Sequence, residues 1–137
     1  AQKYPNLVLH VINGVVGYND LEKIFNKNLK ILILGYKNIR RGANYYSKKV
    51  EENKKIIYDN IKNIINGFKV TSFDNLAIEQ LQLRRLFTER EWNKFYMGDD
   101  GQYTMYIDLV NREFAKSSTS LERYPLEDNI VTMFNLN

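Results

Sequence analysis

The sequence predicts an α/β fold: about three βα units building a parallel sheet, followed by a C-terminal β-hairpin and a short helix. Three observations carry this reading. Apolar, β-branched runs recur at residues 7–12, 30–34 and 68–73, and their continuity predicts strands covered on both faces. Each run ends in a turn or cap signal: Asn13-Gly14, Gly35 and Asp74-Asn75. A segment of helical periodicity follows each one, and that order implies right-handed parallel crossovers.

In chain order, residues 7–12 form the first strand, and Asn19 caps a short helix over 20–25 whose Leu21, Ile24 and Phe25 share a face. Residues 30–34 form the second strand. A polar loop over 38–44 then leads to a long helix over 47–66, with Val50, Ile57, Ile61 and Ile64 as its buried stripe and Gly67 just past its end. The third strand, 68–73, runs directly into a helix carrying Leu76, Ile78, Leu81, Leu83 and Leu86. Thr88 and Glu91 have capping-box spacing ahead of a helix through Trp92 and Phe95. After a turn cluster at 96–101, residues 103–108 alternate as a strand does and 113–117 return antiparallel. A last helix over 126–134 turns Ile130, Met133 and Phe134 inward. No repeat or linker interrupts the pattern, so residues 1–137 are expected to form a single domain.

Composition narrows the chemistry. Hydrophobic residues make up 44% of the 137, enough for one core and too much for a disordered chain. The absence of cysteine removes disulfides, thiolate nucleophiles and cysteine-ligated metals from consideration. No apolar run approaches the roughly 18 residues of a membrane span, and no leader is evident, so the expectation is a cytoplasmic protein with no membrane partner. The formal charge of +4 is unevenly spread. Residues 37–69 hold nine Lys/Arg against three acids, whereas acids gather toward the C-terminus.

Several strings exceed generic α/β character. They are residues 10–14 (His-Val-Ile-Asn-Gly), 32–37 (Leu-Ile-Leu-Gly-Tyr-Lys), 72–81 beginning Ser-Phe-Asp-Asn-Leu, 96–101 (Tyr-Met-Gly-Asp-Asp-Gly), 104–108, 117–120 and 123–125. Together they resemble the C-terminal half of phage-encoded radical SAM-like proteins. The resemblance implies a partial (β/α) barrel in which S-adenosylmethionine binds an iron–sulfur cluster held by three closely spaced cysteines. This chain has none, and soft thiolates are what such clusters need. The resemblance therefore implies the fold and argues against the family's activity: no catalytic residue, metal or cofactor is expected.

Functional groups on parallel sheets collect at the C-terminal ends of the strands. There the candidates are Asn13, Tyr36, Lys37, Asp74, Asn75, Glu79 and Gln80; of these, Asn13, Asp74, Asn75 and Glu79 form a candidate remnant of a ligand pocket, set against the plainer reading that Asp74 or Asn75 caps a helix and Glu79 is solvated. His10, inside a strand, is expected to be a hydrogen-bonded core residue. Residues 98–101 read as a tight turn rather than a cation loop, because the ligand pattern for calcium is incomplete. The most suggestive segment is the loop 36–46, where Tyr36, Lys37, Arg40, Arg41, Tyr45 and Tyr46 surround Gly42. Arginine and tyrosine anchor protein interfaces, and the same residues grip phosphate and stack on bases. The expected function is that of a small phage or prophage interaction protein, an anti-CRISPR-type inhibitor of a host CRISPR effector such as a type VI RNA-guided RNase. An RNA-binding accessory protein and one half of a split radical SAM enzyme are the alternatives. A sheet edge left unpaired by the shortened barrel predicts a homodimer or a covering partner.

Overall fold

β-Branched residues favour extended backbone, and in a strand their side chains alternate between faces, so a continuous apolar run still has to find cover for both. In the computed structural model, which describes residue 4 and residues 6–136, three such runs pair in parallel. They are β1 (Val8–Ile12), β2 (Lys30–Leu34) and β3 (Val70–Phe73), in spatial order β1-β2-β3. The register aligns Leu9, Ile31 and Thr71 on one rung and His10, Leu32 and Ser72 on the next. The chain divides into two compact units, Ala1–Trp92 and Asn93–Asn137, and the parallel sheet belongs to the first.

Between β1 and β2 lies α1 (Tyr18–Glu22); between β2 and β3 lie α2 (Arg41–Tyr45), α3 (Lys48–Asp59) and α4 (Ile61–Gly67); after β3 comes α5 (Asn75–Gln80), then a 3-10 turn over Leu83–Leu86. Apolar side chains of these segments, including Leu21, Ile57, Ile61, Ile64, Ala77, Leu81 and Leu83, cluster with Ile31 and Ile33. All of that cover falls on one face. On the other, Val8, His10, Ile12, Val70 and Ser72 are exposed and Leu32 and Leu34 only half-buried. This corrects the expectation of strands covered on both faces, and with it the reading of His10 as a core histidine. The same alternation that packs the half-buried Leu9 and Val11 against this cluster turns His10 outward.

Local hydrogen bonding explains the other departures. The long helix predicted over 47–66 is two helices, because Asn60 adopts φ −107°, ψ 14° and its side-chain amide donates to the Ile56 carbonyl at 2.9 Å. A short polar side chain that bonds nearby backbone competes with helix propagation. Ser47 does cap the first of the two, accepting from the Val50 N–H. Gly67 is the last helical residue rather than the one beyond it. The helix after β3 ends where Gln82 turns left-handed, at φ 48°, ψ 47°. Gly17, not Asn19, precedes α1, and Asn19 lies inside the helix. The loop predicted over 38–44 contains most of α2.

The second unit holds the antiparallel strands β4 (Tyr106–Asp108), β5 (Glu113–Ala115) and β6 (Tyr124–Pro125). The expected hairpin is there, with a third strand that two residues were too short to announce. α6 (Glu89–Phe95) begins at the predicted capping box: the Thr88 N–H donates to the Glu91 carboxylate at 2.8 Å, and the Glu91 N–H returns to the Thr88 hydroxyl at 3.3 Å. The Thr88 N–H, and then the Thr88 hydroxyl, which donates to the same carboxylate at 2.8 Å, hold the Glu91 carboxyl below its ordinary pKa. α7 (Ile130–Leu136) buries Met133, as expected, but leaves Ile130 exposed.

Candidate functional site

The carboxyl ends of the three parallel strands carry a network of side-chain amides, one carboxylate and backbone groups. Gln80, in the last turn of α5, pairs with both backbone groups of Tyr36: its Nε2 donates to the Tyr36 carbonyl at 2.8 Å and its Oε1 accepts the Tyr36 N–H at 3.0 Å. That double contact fixes which end of the amide is oxygen. Asn13, 1% exposed, must therefore present its Nδ2 to the same Oε1, and it does so at 3.1 Å. Asn13 Oδ1, although buried, then meets no hydrogen-bond partner among the described residues. Beside this pair, Asp74 accepts the Gly35 N–H at 2.8 Å and the Ala77 N–H at 2.7 Å, joining the end of β2 to the first turn of α5.

Of the four residues expected to line a remnant pocket, the structure brings Asn13 and Asp74 to the strand ends. Asp74 serves as the helix cap. Asn75 is the first residue of α5, half-buried, and Glu79 is exposed. Gln80 stands among the candidates the sequence places at the strand ends, but its role in tying Asn13 to Tyr36 comes from contacts with residues 67 and 44 positions away, which no local signal carries.

Tyr36 leads from this network into the basic loop. Its ring is buried, its hydroxyl donates to the Gly42 carbonyl at 2.6 Å, and its centroid lies 5.5 Å from that of Tyr46. Tyr46 in turn donates to the Glu51 carboxylate, and that bond raises its pKa and keeps the phenol protonated. Gly42 has no room for a side chain, since a Cβ there would collide with the Lys37 carbonyl oxygen. Arg40 sits at φ 50°, ψ −125°, a backbone conformation that L side chains rarely adopt. On the loop held in this way, Lys37, Arg40, Arg41 and Tyr45 are exposed, Tyr45 to 76%. The six residues singled out from the sequence thus divide: Tyr36 and Tyr46 hold the loop, while the other four project from it.

The field around the loop is positive. The first unit carries sixteen Lys/Arg against nine Asp/Glu, and the second four against seven. Lys48 and Lys49 continue the basic run into the exposed start of α3. Among the described residues no group of three or more His, Asp or Glu is placed to hold a metal ion, and no helix is long and apolar enough to cross a membrane. Comparison with known proteins finds no matching family model, no matching curated protein and no matching solved structure.

Proposed function

We propose that the chain is a non-catalytic interaction protein that engages a protein partner through the loop at 37–46. One observation carries this: three cations and Tyr45 project from a backbone already locked by Tyr36, Gly42 and Tyr46. A rigid loop spends less conformational entropy on binding, and Arg and Tyr are the side chains that dominate interface energetics. In its specific form the proposal is an anti-CRISPR-type inhibitor of a host defence nuclease, with a type VI RNA-guided RNase as target. That step leans on the resemblance to phage-encoded radical SAM-like proteins. The test is a pull-down of a purified type VI effector with the chain and with its Arg40→Glu/Arg41→Glu variant. The expected outcome is retention and reduced RNA cleavage by the native chain, with at least tenfold weaker retention by the variant. Equal retention removes the loop from the mechanism. Affinity for RNA alone, falling steeply between low and moderate salt, would replace the protein partner with nucleic acid.

A second reading, one half of a composite barrel-like radical SAM enzyme, is favoured by the one-sided sheet. All-parallel sheets are normally covered on both faces, and among the described residues no further strand pairs with the outer edges of β1 and β3. Co-expression with a cysteine-bearing polypeptide from a neighbouring reading frame tests it. A stable complex that cleaves S-adenosylmethionine supports this reading, and two proteins that elute separately dispose of it.

A further inference from the structure

The first unit contains a pocket of about 230 Å³. Asp59, Lys62 and Asn63 reach its wall from the junction of α3 and α4, and Arg85 reaches it from the 3-10 turn. The volume lies below the roughly 300 Å³ at which drug-sized ligand sites begin, which sizes the pocket for a small molecule. Its arginine is held in place before anything binds. The Arg85 guanidinium lies 4.1 Å from the centroid of the Tyr58 ring, and its Nη2 donates to the Tyr58 carbonyl at 3.1 Å. Tyr58 is tied in turn to the residues ahead of Arg85, its hydroxyl donating to Gln82 Oε1 at 3.1 Å. A guanidinium carries five N–H donors, and a backbone carbonyl takes up one of them without neutralising the charge.

The charged groups on this wall are not spent on one another. Among the described residues the ion pairs are Lys23–Asp20, Lys48–Glu52 and Arg84–Glu89, so Arg85, Lys62 and Asp59 stand outside all of them. Two cations and one carboxylate line the pocket, a net charge of +1, with the Asn63 amide beside them. A fixed, planar guanidinium matches the oxygens of a phosphate, and an ammonium adds a second point charge. Asp59 sets what that phosphate has to carry. A carboxylate repels a bare anion but accepts hydrogen bonds, so it favours a phosphate joined to a carbon skeleton that bears hydroxyls. Inorganic phosphate brings the repulsion without a hydroxyl held away from its charge.

We propose that this pocket binds a small phosphate monoester bearing hydroxyls, a sugar phosphate in class, with Arg85 and Lys62 holding the phosphate and Asp59 accepting a hydroxyl. The site is separate from the loop at 37–46 and does not depend on that loop's role. The experiment is calorimetric titration of the full chain with ribose 5-phosphate, with inorganic phosphate and ribose alongside. Saturable binding of ribose 5-phosphate is expected, with inorganic phosphate weaker and ribose silent. Arg85→Gln should weaken it about tenfold or more, the scale of a charge-assisted hydrogen bond. Lys62→Gln should weaken it about threefold, the scale of an exposed ion pair. Lys69→Gln removes the same charge from the same unit outside the pocket wall and should leave binding unchanged. Asp59→Asn should weaken ribose 5-phosphate and tighten inorganic phosphate, opposite effects that a loss of fold does not produce. Equal weakening by Lys62→Gln and Lys69→Gln means general attraction to a basic surface and overturns the proposal. So does inorganic phosphate binding as tightly as the monoester, binding that Arg85→Gln leaves intact, or no binding at all. Displacement of ribose 5-phosphate by polyuridine, whose internal phosphates are diesters, would assign the site to nucleic acid and overturn it too. Should Arg85→Gln unfold, the exposed Lys62 and Asp59 variants decide the matter alone.

Discussion

Gln80 is the residue on which the carboxyl end of the sheet turns. Its amide makes three contacts, two to the Tyr36 backbone and one from Asn13, and each such bond contributes on the order of 1 kcal/mol. Gln80→Leu keeps the bulk and loses all three, so it is expected to cost about 2 kcal/mol in urea unfolding and to free the start of the basic loop. A midpoint unchanged from the native chain would contradict this account. Tyr96 gives a second residue-scale prediction. Burial, and then the Asp99 carboxylate that accepts its hydroxyl, push its folded-state pKa up to about 12, above the ordinary tyrosine value near 10. Its contribution to stability is therefore fully present below pH 10 and is lost as pH rises from 10 through 12. Ultraviolet titration of tyrosinate should show Tyr96 ionising late, with Tyr96→Phe deleting that last step and removing this part of the alkaline loss of stability.

At the scale of elements, two glycines separate fold from function. A Cβ at Gly35 would meet the Leu76 side chain and backbone, so Gly35→Ala forces α5 away from β2 and is expected to destabilise the chain by about 1–3 kcal/mol. Gly42→Ala collides instead with the Lys37 carbonyl, inside the loop. It should leave the thermal midpoint of the sheet nearly unchanged and reduce partner binding at least as much as removal of a single loop cation, read in the same pull-down. Were Gly42→Ala to bind normally, the locked geometry of the loop would not matter for recognition. Gly35 was visible in the sequence as a turn signal and Gly42 as the glycine at the centre of the basic loop. That Gly42 stands in tight contact, whereas its neighbour Arg40 carries the unusual backbone, was not, because neither follows from residue type.

For the molecule as a whole, the consequential feature is the half-covered sheet. Val8, Ile12 and Val70 are 39%, 41% and 45% exposed on one face of parallel strands whose outer edges pair with no other strand among the described residues. Such a surface favours association. Light scattering at micromolar concentration is expected to give a mass above that of one chain, and Val8→Lys/Val70→Lys to return it to the monomer without lowering the thermal midpoint. A native chain that is monomeric throughout would remove the homodimer and leave the face to a different partner. By itself the sequence determined the α/β class, the three parallel strands, the capping box at Thr88 and Glu91 and the basic loop. Each of these rests on local propensity, hydrophobic period or net charge, which neighbouring residues set. Only the tertiary structure decided which face of the sheet is covered, that His10 points outward, that Asn60 splits the long helix, and that Gln80 locks Asn13 and Tyr36. Those outcomes depend on which of several locally acceptable partners a side chain meets, and for Gln80 and Tyr36 that partner lies 44 residues away.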